Sequence, residues 1–444
     1  MARAVVLSAV FCLTAGAAAL RAQDDFEKSP IDYSRAAAEN LVSRLQERLE
    51  RGELQLEFDD AHGYLPSLLK SMNVPVESQM LVFSKTSMQR ARITPETPRA
   101  VYFNDEAYVG YCHQGGVLEI AAADPVLGAA FYTLDQTKAE KPAIIRKTQD
   151  CLICHSITRD ISIPGFVVRS VFTDSDGLPI LSEGGFRVDH STPIEDRWGG
   201  WYVTGTHGAQ PHLGNLIVRK TPVRRPVLNP EGQNLSKLDG RFPVGNYLAP
   251  HSDLVALMVF EHQAMLHNLI TQANFAARQA LHYEAELNEA LGDPPGYRRE
   301  STTRRIADAG DRLVKGLLFV DEAPIASKIA GTSGFAGSFS AVGPRDRRGR
   351  SLREFDLSKR MFRYPCSYLI YSPQFDALHP EMRSYVAERL RAVLLNSDDG
   401  GEKTQGKEQL NAFKHLSPED RLAIWEILNE TKPALFAQAT PQVN

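Results

Sequence analysis

The chain has 444 residues, 43% hydrophobic and 23% charged, the composition of a folded protein rather than of a fibre, a disordered tail or a multispan membrane protein. Fifty Lys and Arg stand against 54 Asp and Glu, so a formal charge of -4 leaves no overall basic field to hold nucleic acid or an anionic membrane. Five cysteines are too few for a disulfide scaffold, and their positions carry more information than their number.

Arg3 precedes an apolar, Ala-rich run from Ala4 to Leu20, followed by Arg21-Ala22-Gln23-Asp24-Asp25. One positive charge ahead of a short apolar core is the pattern of a secretory signal peptide. Residues 1–22 are assigned to it, with cleavage after Ala19 or after Ala22. The competing reading is a single membrane anchor, for which an apolar run of about 17 residues is at the short end. Cys12 follows Val10-Phe11 inside the run, which is not the setting of a lipid-attachment cysteine. No later stretch is long and apolar enough to span a bilayer. The mature chain is therefore expected outside the cytoplasm, in the periplasm of a Gram-negative bacterium or otherwise exported, without an integral membrane segment.

Ala36, Leu41, Leu45 and Leu49 give residues 31–50 a helical period. From 80 to 135 short apolar and aromatic runs alternate with turn residues: 80–83, 100–103, 108–109, 117–120 and 129–134, with Asn104-Asp105 and Gly115-Gly116 between them. This predicts strands with tight connections. Further short strands are expected at 166–172, 200–204 and 216–218, and Pro-rich 221–250 reads as a connecting segment. Ser252-Asp253 is positioned to cap a helix running without Gly or Pro from Leu254 to Leu291, about 57 Å at 1.5 Å per residue. Its start is apolar nearly all round, which requires burial between other elements. A helix at 300–319, a mobile basic loop over 331–350 and helices at 379–396 and 417–430 complete the chain. The expected fold is α+β, with a strand-rich region over 23–240 and a helical region over 241–444 packed against it.

Cys151-Leu152-Ile153-Cys154-His155 is the one motif with a specific chemistry. Two thiols three residues apart match the two vinyl groups of a haem, and the adjacent imidazole then reaches the iron. The same residues allow three other chemistries. A thioredoxin-type dithiol needs a stabilised thiolate, a zinc site needs a second ligand pair, for which Cys112-His113 is the candidate, and the two thiols could simply be bridged to each other. At these five residues the sequence resembles the c-type cytochromes, a likeness that fits an exported chain. The resemblance implies one covalent haem c, thioether bonds at Cys151 and Cys154, and His155 as the proximal axial ligand. The segments Arg197–Gly208 and Arg360–Tyr371 also resemble those of large bacterial proteins described as cytochrome c-like.

The likeness to small electron carriers is incomplete, since no methionine occurs between Met88 and Met258. A chain of this length is also not expected to be a small cytochrome fold throughout. The distal face is expected to take a histidine or to stay open. His207 and His212 in the Gly-rich segment are candidates, with His190 beside them, and so is His262 on the long helix. Met258, His262, Met265 and Leu269 share one helical stripe, more often plain core. The most direct role is electron transfer with a redox partner protein. The alternatives are a peroxidase-like haem oxidoreductase with an open distal site and a haem-containing sensor or scaffold. Cys112 and Cys366 remain after the motif and the export segment are set aside, and an oxidising compartment favours a disulfide between them.

Overall fold

A computed structural model describes residues 25–159, 161–223, 227, 229–395 and 411–437. The expected export segment 1–22, with Cys12, lies outside the described residues.

Asn40 caps α1 (Leu41–Glu50): its side-chain oxygen accepts from the Val42 and Ser43 N–H groups, and its own N–H donates to Ser43 Oγ. The helix therefore starts ten residues later than its periodicity predicts. Residues 31–40 are instead turns tied to the sheet, with Tyr33 Oη donating to the Ala129 carbonyl and Arg146 donating to the Tyr33 and Ala36 carbonyls. After α2 (Leu65–Ser71) the chain forms β1 (Met80–Val82), β2 (Arg99–Phe103), β3 (Ala107–Cys112), β4 (Val117–Asp124), β5 (Gly128–Asp135) and β6 (Ile144–Lys147). These pair in chain order as one antiparallel sheet; β1 to β5 fall on the runs that predict strands, and β6 lies outside them.

Both faces of this sheet are buried, and strand alternation divides them. Ala100, Tyr102, Val109, Ile120, Tyr132 and Leu134 face a core shared with α1 and α2. Val101, Phe103, Tyr108, Ala123, Ala129 and Phe131 face the larger core. That core also takes Trp198 and Trp201 and much of α4 (Leu254–Leu291), so it draws on both sides of residue 240.

Between sheet and long helix lie α3 (Leu152–His155), the hairpin β7 (Ser156–Arg159) and β8 (Ile161–Pro164), and the pair β9 (Arg169–Val171) and β10 (Gly185–Arg187). Of the three further strands expected, only β9 forms. Trp201 makes a single bridge to Val82, and the Val218 N–H reaches the Thr173 carbonyl as an isolated loop contact. Asp253 caps α4 as expected, accepting from Val255 and Ala256, while its other oxygen accepts from Thr332 and Ser333. Then follow α5 (Glu300–Leu317), α6 (Phe335–Ala341), α7 (Pro373–Asp376), α8 (Pro380–Leu395) and α9 (Pro418–Thr431), giving an α+β architecture. The expected basic loop is interrupted by α6. Its Arg348 and Arg350 both reach Glu426 on α9, and Arg350 also pairs with Asp346.

The expected Cys112–Cys366 disulfide is not formed. Cys112 ends β3 opposite Arg99, whereas Cys366 is buried in the larger core before the Tyr368–Tyr371 turn, and both are free thiols. Each thiol is buried in its own surroundings, and burial pushes both up to about 12.

Candidate functional site

The four-residue α3 has Cys151 as its N-cap, and the Cys151 carbonyl accepts from the Cys154 and His155 N–H groups. This single turn places all three motif side chains on the wall of one cavity of about 1070 Å³. A pocket for an organic cofactor is typically about 300–1,000 Å³. The hairpin that follows sets the imidazole. Ser156 pairs with Pro164, so the next position outward brings Gly165 opposite His155. The Gly165 N–H donates to the His155 carbonyl (2.9 Å), and His155 Nδ1 donates to the Gly165 carbonyl (3.0 Å). Gly165 is glycine for want of room: a Cβ there would sit 2.6 Å from Asn268 Oδ1 and 2.6 Å from Ile157 Cδ1.

The next residue is held from the long helix. Asn268 accepts from the Phe166 N–H and donates to the Phe166 carbonyl, both at 2.8 Å. His155 thus has its tautomer fixed, with the proton on Nδ1 and the lone pair on Nε2. Among the described residues Nε2 has no hydrogen-bond partner. Burial lowers the His155 pKa, the Gly165 bond opposing it, so the imidazole is neutral near pH 7. The Phe131 ring packs on it at 4.7 Å between centroids.

The rest of the wall holds both aromatic and charged side chains. Tyr108, Phe166, Trp201 and Phe260 line it, with Tyr108 to Phe166 at 4.7 Å, Tyr108 to Phe260 at 5.5 Å and Trp201 to Phe260 at 6.0 Å. The β9–β10 register puts Arg169 beside Arg187 on the same wall, and Lys85 and Arg90 line it from the β1–β2 connection. Across the sheet, Arg99 pairs with Glu119 at 2.6 Å by passing over Gly110, where a Cβ would collide with the guanidinium. Burial pushes the Glu119 carboxyl up, but Arg99 and hydrogen bonds from Ser87 and Gln89 outweigh it and hold the group below the ordinary range.

The expected distal histidines are elsewhere: His207, His212 and His262 are all absent from the cavity wall. His207 Nδ1 donates to the Gln210 carbonyl and its Nε2 accepts from the Asn234 N–H, while His212 Nδ1 accepts from the Gly214 N–H. His262 lies in a buried chain. His190 Nε2 is 3.3 Å from the Val320 carbonyl and so carries the proton, which makes its Nδ1 the acceptor for His262 Nδ1 at 2.9 Å. His262 Nε2 then accepts from Ser367 Oγ. Met258 and His262 belong to the core stripe.

The competing chemistries lose support. Burial, with Glu119 and Asp150 adding to it, pushes the Cys151 thiol up to about 11, the reverse of the thiolate that dithiol exchange requires. Cys151 and Cys154 are not bridged. Among the described residues no three His, Cys, Asp or Glu side chains gather to hold a metal ion, and none of the described helices is long and apolar enough to cross a membrane.

Met88, which precedes the motif in the chain, is the one methionine on the cavity wall among the described residues. The Arg99–Glu119 pair and the Asn268 clamp have no signal in the sequence, since each depends on sheet or hairpin register. No protein-family model matches the chain, and neither a curated protein nor a solved structure matches it.

Proposed function

We propose that the chain is an exported c-type cytochrome, carrying one covalent haem c and passing electrons to or from a redox partner protein. One observation carries the reading: both motif thiols and a neutral imidazole, its Nδ1 held by Gly165 and its Nε2 available, line the same cofactor-sized cavity. The donor set fits a haem. Cys151 and Cys154 would hold the macrocycle as thioethers, and His155 would bind iron through Nε2. The aromatic wall suits a flat apolar ring, and Lys85, Arg90, Arg169 and Arg187 supply positive charge for its two carboxylates.

When bound, the haem supplies a one-electron iron couple. The chain's own residues orient and shield. Gly165 keeps the His155 proton on Nδ1, which makes Nε2 a better donor. Tyr108, Phe166, Trp201 and Phe260 exclude water from the interior wall. Ile153 and Leu181, 80% and 88% exposed at the same cavity, give a partner an apolar surface beside the redox centre.

The test is the polypeptide mass and haem stain after denaturation of protein expressed with export and haem-attachment machinery. Wild type should carry one haem that resists acid-acetone extraction, and the Cys151→Ala/Cys154→Ala variant should carry none. Wild-type polypeptide without bound haem would refute the proposal.

A further inference from the structure

We infer that Met88, upstream of the motif in the connection between β1 and β2, is the second axial donor of this centre, held in place by Glu119. The inference rests on the haem reading above and assigns the other face of the iron. It begins with what the cavity wall offers. Once Cys151, Cys154 and His155 are committed, the remaining side chains there with a donor atom for iron are Met88, Lys85, Tyr108, Tyr132 and the carboxylates of Glu119 and Asp150. Glu119 is taken up by Arg99, Ser87 and Gln89, and Asp150 adjoins Cys151 in the chain. Tyr108 Oη accepts from Gln263, Tyr132 Oη accepts from Asn40, and burial pushes both phenols upward, away from the phenolate that iron would require. Lys85 carries a positive charge that coordination would have to remove. Met88 offers a neutral thioether.

The second observation is how the Met88 backbone is held. Ser87 Oγ donates to Glu119, 2.7 Å from one oxygen and 3.0 Å from the other, and Gln89 Nε2 donates to Glu119 Oε1 at 3.2 Å and to the Val117 carbonyl at 3.1 Å. The Gln89 N–H also donates back to Ser87 Oγ. Both neighbours of Met88 are therefore pinned to β4, while Met88 itself is 55% exposed on the cavity wall. A fixed backbone carrying an unpacked methionine suits a ligand that fills the cavity, because the cost of ordering the loop is met before coordination. Glu119 is a positioning residue: it holds the loop through Ser87 and Gln89, and Arg99 keeps it ionised.

The experiment uses the full-length haem-loaded protein and reads the weak long-wavelength sulfur-to-iron charge-transfer band of the oxidised form, with the spin state beside it. Wild type should be low-spin with the band. Met88→Ala should abolish the band and become high-spin while keeping covalent haem, and its exposed position leaves folding intact by circular dichroism. Met88→His should restore low spin without the band and lower the potential, as exchange of thioether for imidazole does. Glu119→Gln should weaken the band several-fold with the haem still attached. A band that survives Met88→Ala, a wild type that lacks it, or low spin lost only in Lys85→Ala would overturn the assignment. Those results leave covalent haem in place and so differ from failure of the haem reading itself, which would show as a polypeptide without haem.

Discussion

His155 Nδ1 lies 3.0 Å from the Gly165 carbonyl oxygen, and the peptide after that carbonyl is gripped by Asn268 from a helix more than a hundred residues later in the chain. The His155 imidazole is thus oriented by α4, through the Phe166 backbone. Asn268→Ala would leave the Phe166 N–H and carbonyl without partners, at a cost of about 1–3 kcal/mol. Urea unfolding should show the lower midpoint, and the haem-loaded variant should show a broadened or shifted spectrum as the imidazole loses its fixed tautomer. An unchanged midpoint and spectrum would mean that the strap is held by packing alone.

Gly110 permits the Arg99–Glu119 ion pair by leaving room above β3. Gly110→Ala should displace the guanidinium and destabilise the fold by about 1–3 kcal/mol, the range of overpacking at a filled site. The same substitution made in an Arg99→Ala background should be nearly neutral, since the colliding group is gone. The two effects are therefore expected to be strongly non-additive. Additive losses would place the cost in the β3 backbone instead.

Much of this fold follows from local pattern. The Asp253 cap and the uninterrupted run to Leu291 predict α4 to the residue, and the alternating runs from 80 to 134 predict β1 to β5. The Cys151–His155 spacing marks the site, because one helical turn is enough to align those three side chains. What local pattern does not carry is who stands opposite. Met88 reaches the cavity wall through sheet register, since Ser87 and Gln89 hold to Glu119 two strands away. His207 and His212 look available in a Gly-rich segment, but His207 spends both ring nitrogens and His212 its Nδ1 on nearby backbone groups. The same limit applies to the cysteines: pairing Cys112 with Cys366 is a matter of arithmetic in the sequence and of distance between two separate burial sites in the fold.

Those two thiols are expected to stay free even in protein exported to an oxidising compartment. Each is buried, and burial pushes each up to about 12, so thiolate is scarce and reagents are excluded. Alkylation of native protein should leave both unmodified, and alkylation after denaturation without reductant should modify both. A linked Cys112–Cys366 peptide in an unreduced digest would contradict the fold described here.

Acid should destabilise the protein well before its carboxylates titrate in bulk. Burial lowers His190 and His267 to about 4, His212 to about 3 and His262 well below the ordinary value, with Asp189 opposing the shift at His190 and Gln374 opposing it at His267. The unfolded chain protonates these four below about pH 6.5, and the folded chain does not. Their contribution to stability is therefore full above pH 6.5 and is lost as pH falls toward 4. Two buried carboxyls work in the other direction. Burial raises Glu261 to about 8 against the pull of Arg197, and raises Glu322 to about 7. These stay protonated in the folded state and ionise in the unfolded state above about pH 4.3, so their contribution is full in acid and is lost as pH rises through 7 to 8. Between about pH 4.5 and 6.5 the four imidazoles outnumber the two carboxyls. The unfolded state then binds more protons than the folded one, so stability rises as pH rises. Urea midpoints should therefore fall from pH 6.5 to pH 5, and His212→Gln, which removes one of the four, should make that fall shallower. A midpoint that rises on acidification would show that the carboxyls, not the imidazoles, govern the titration of this core.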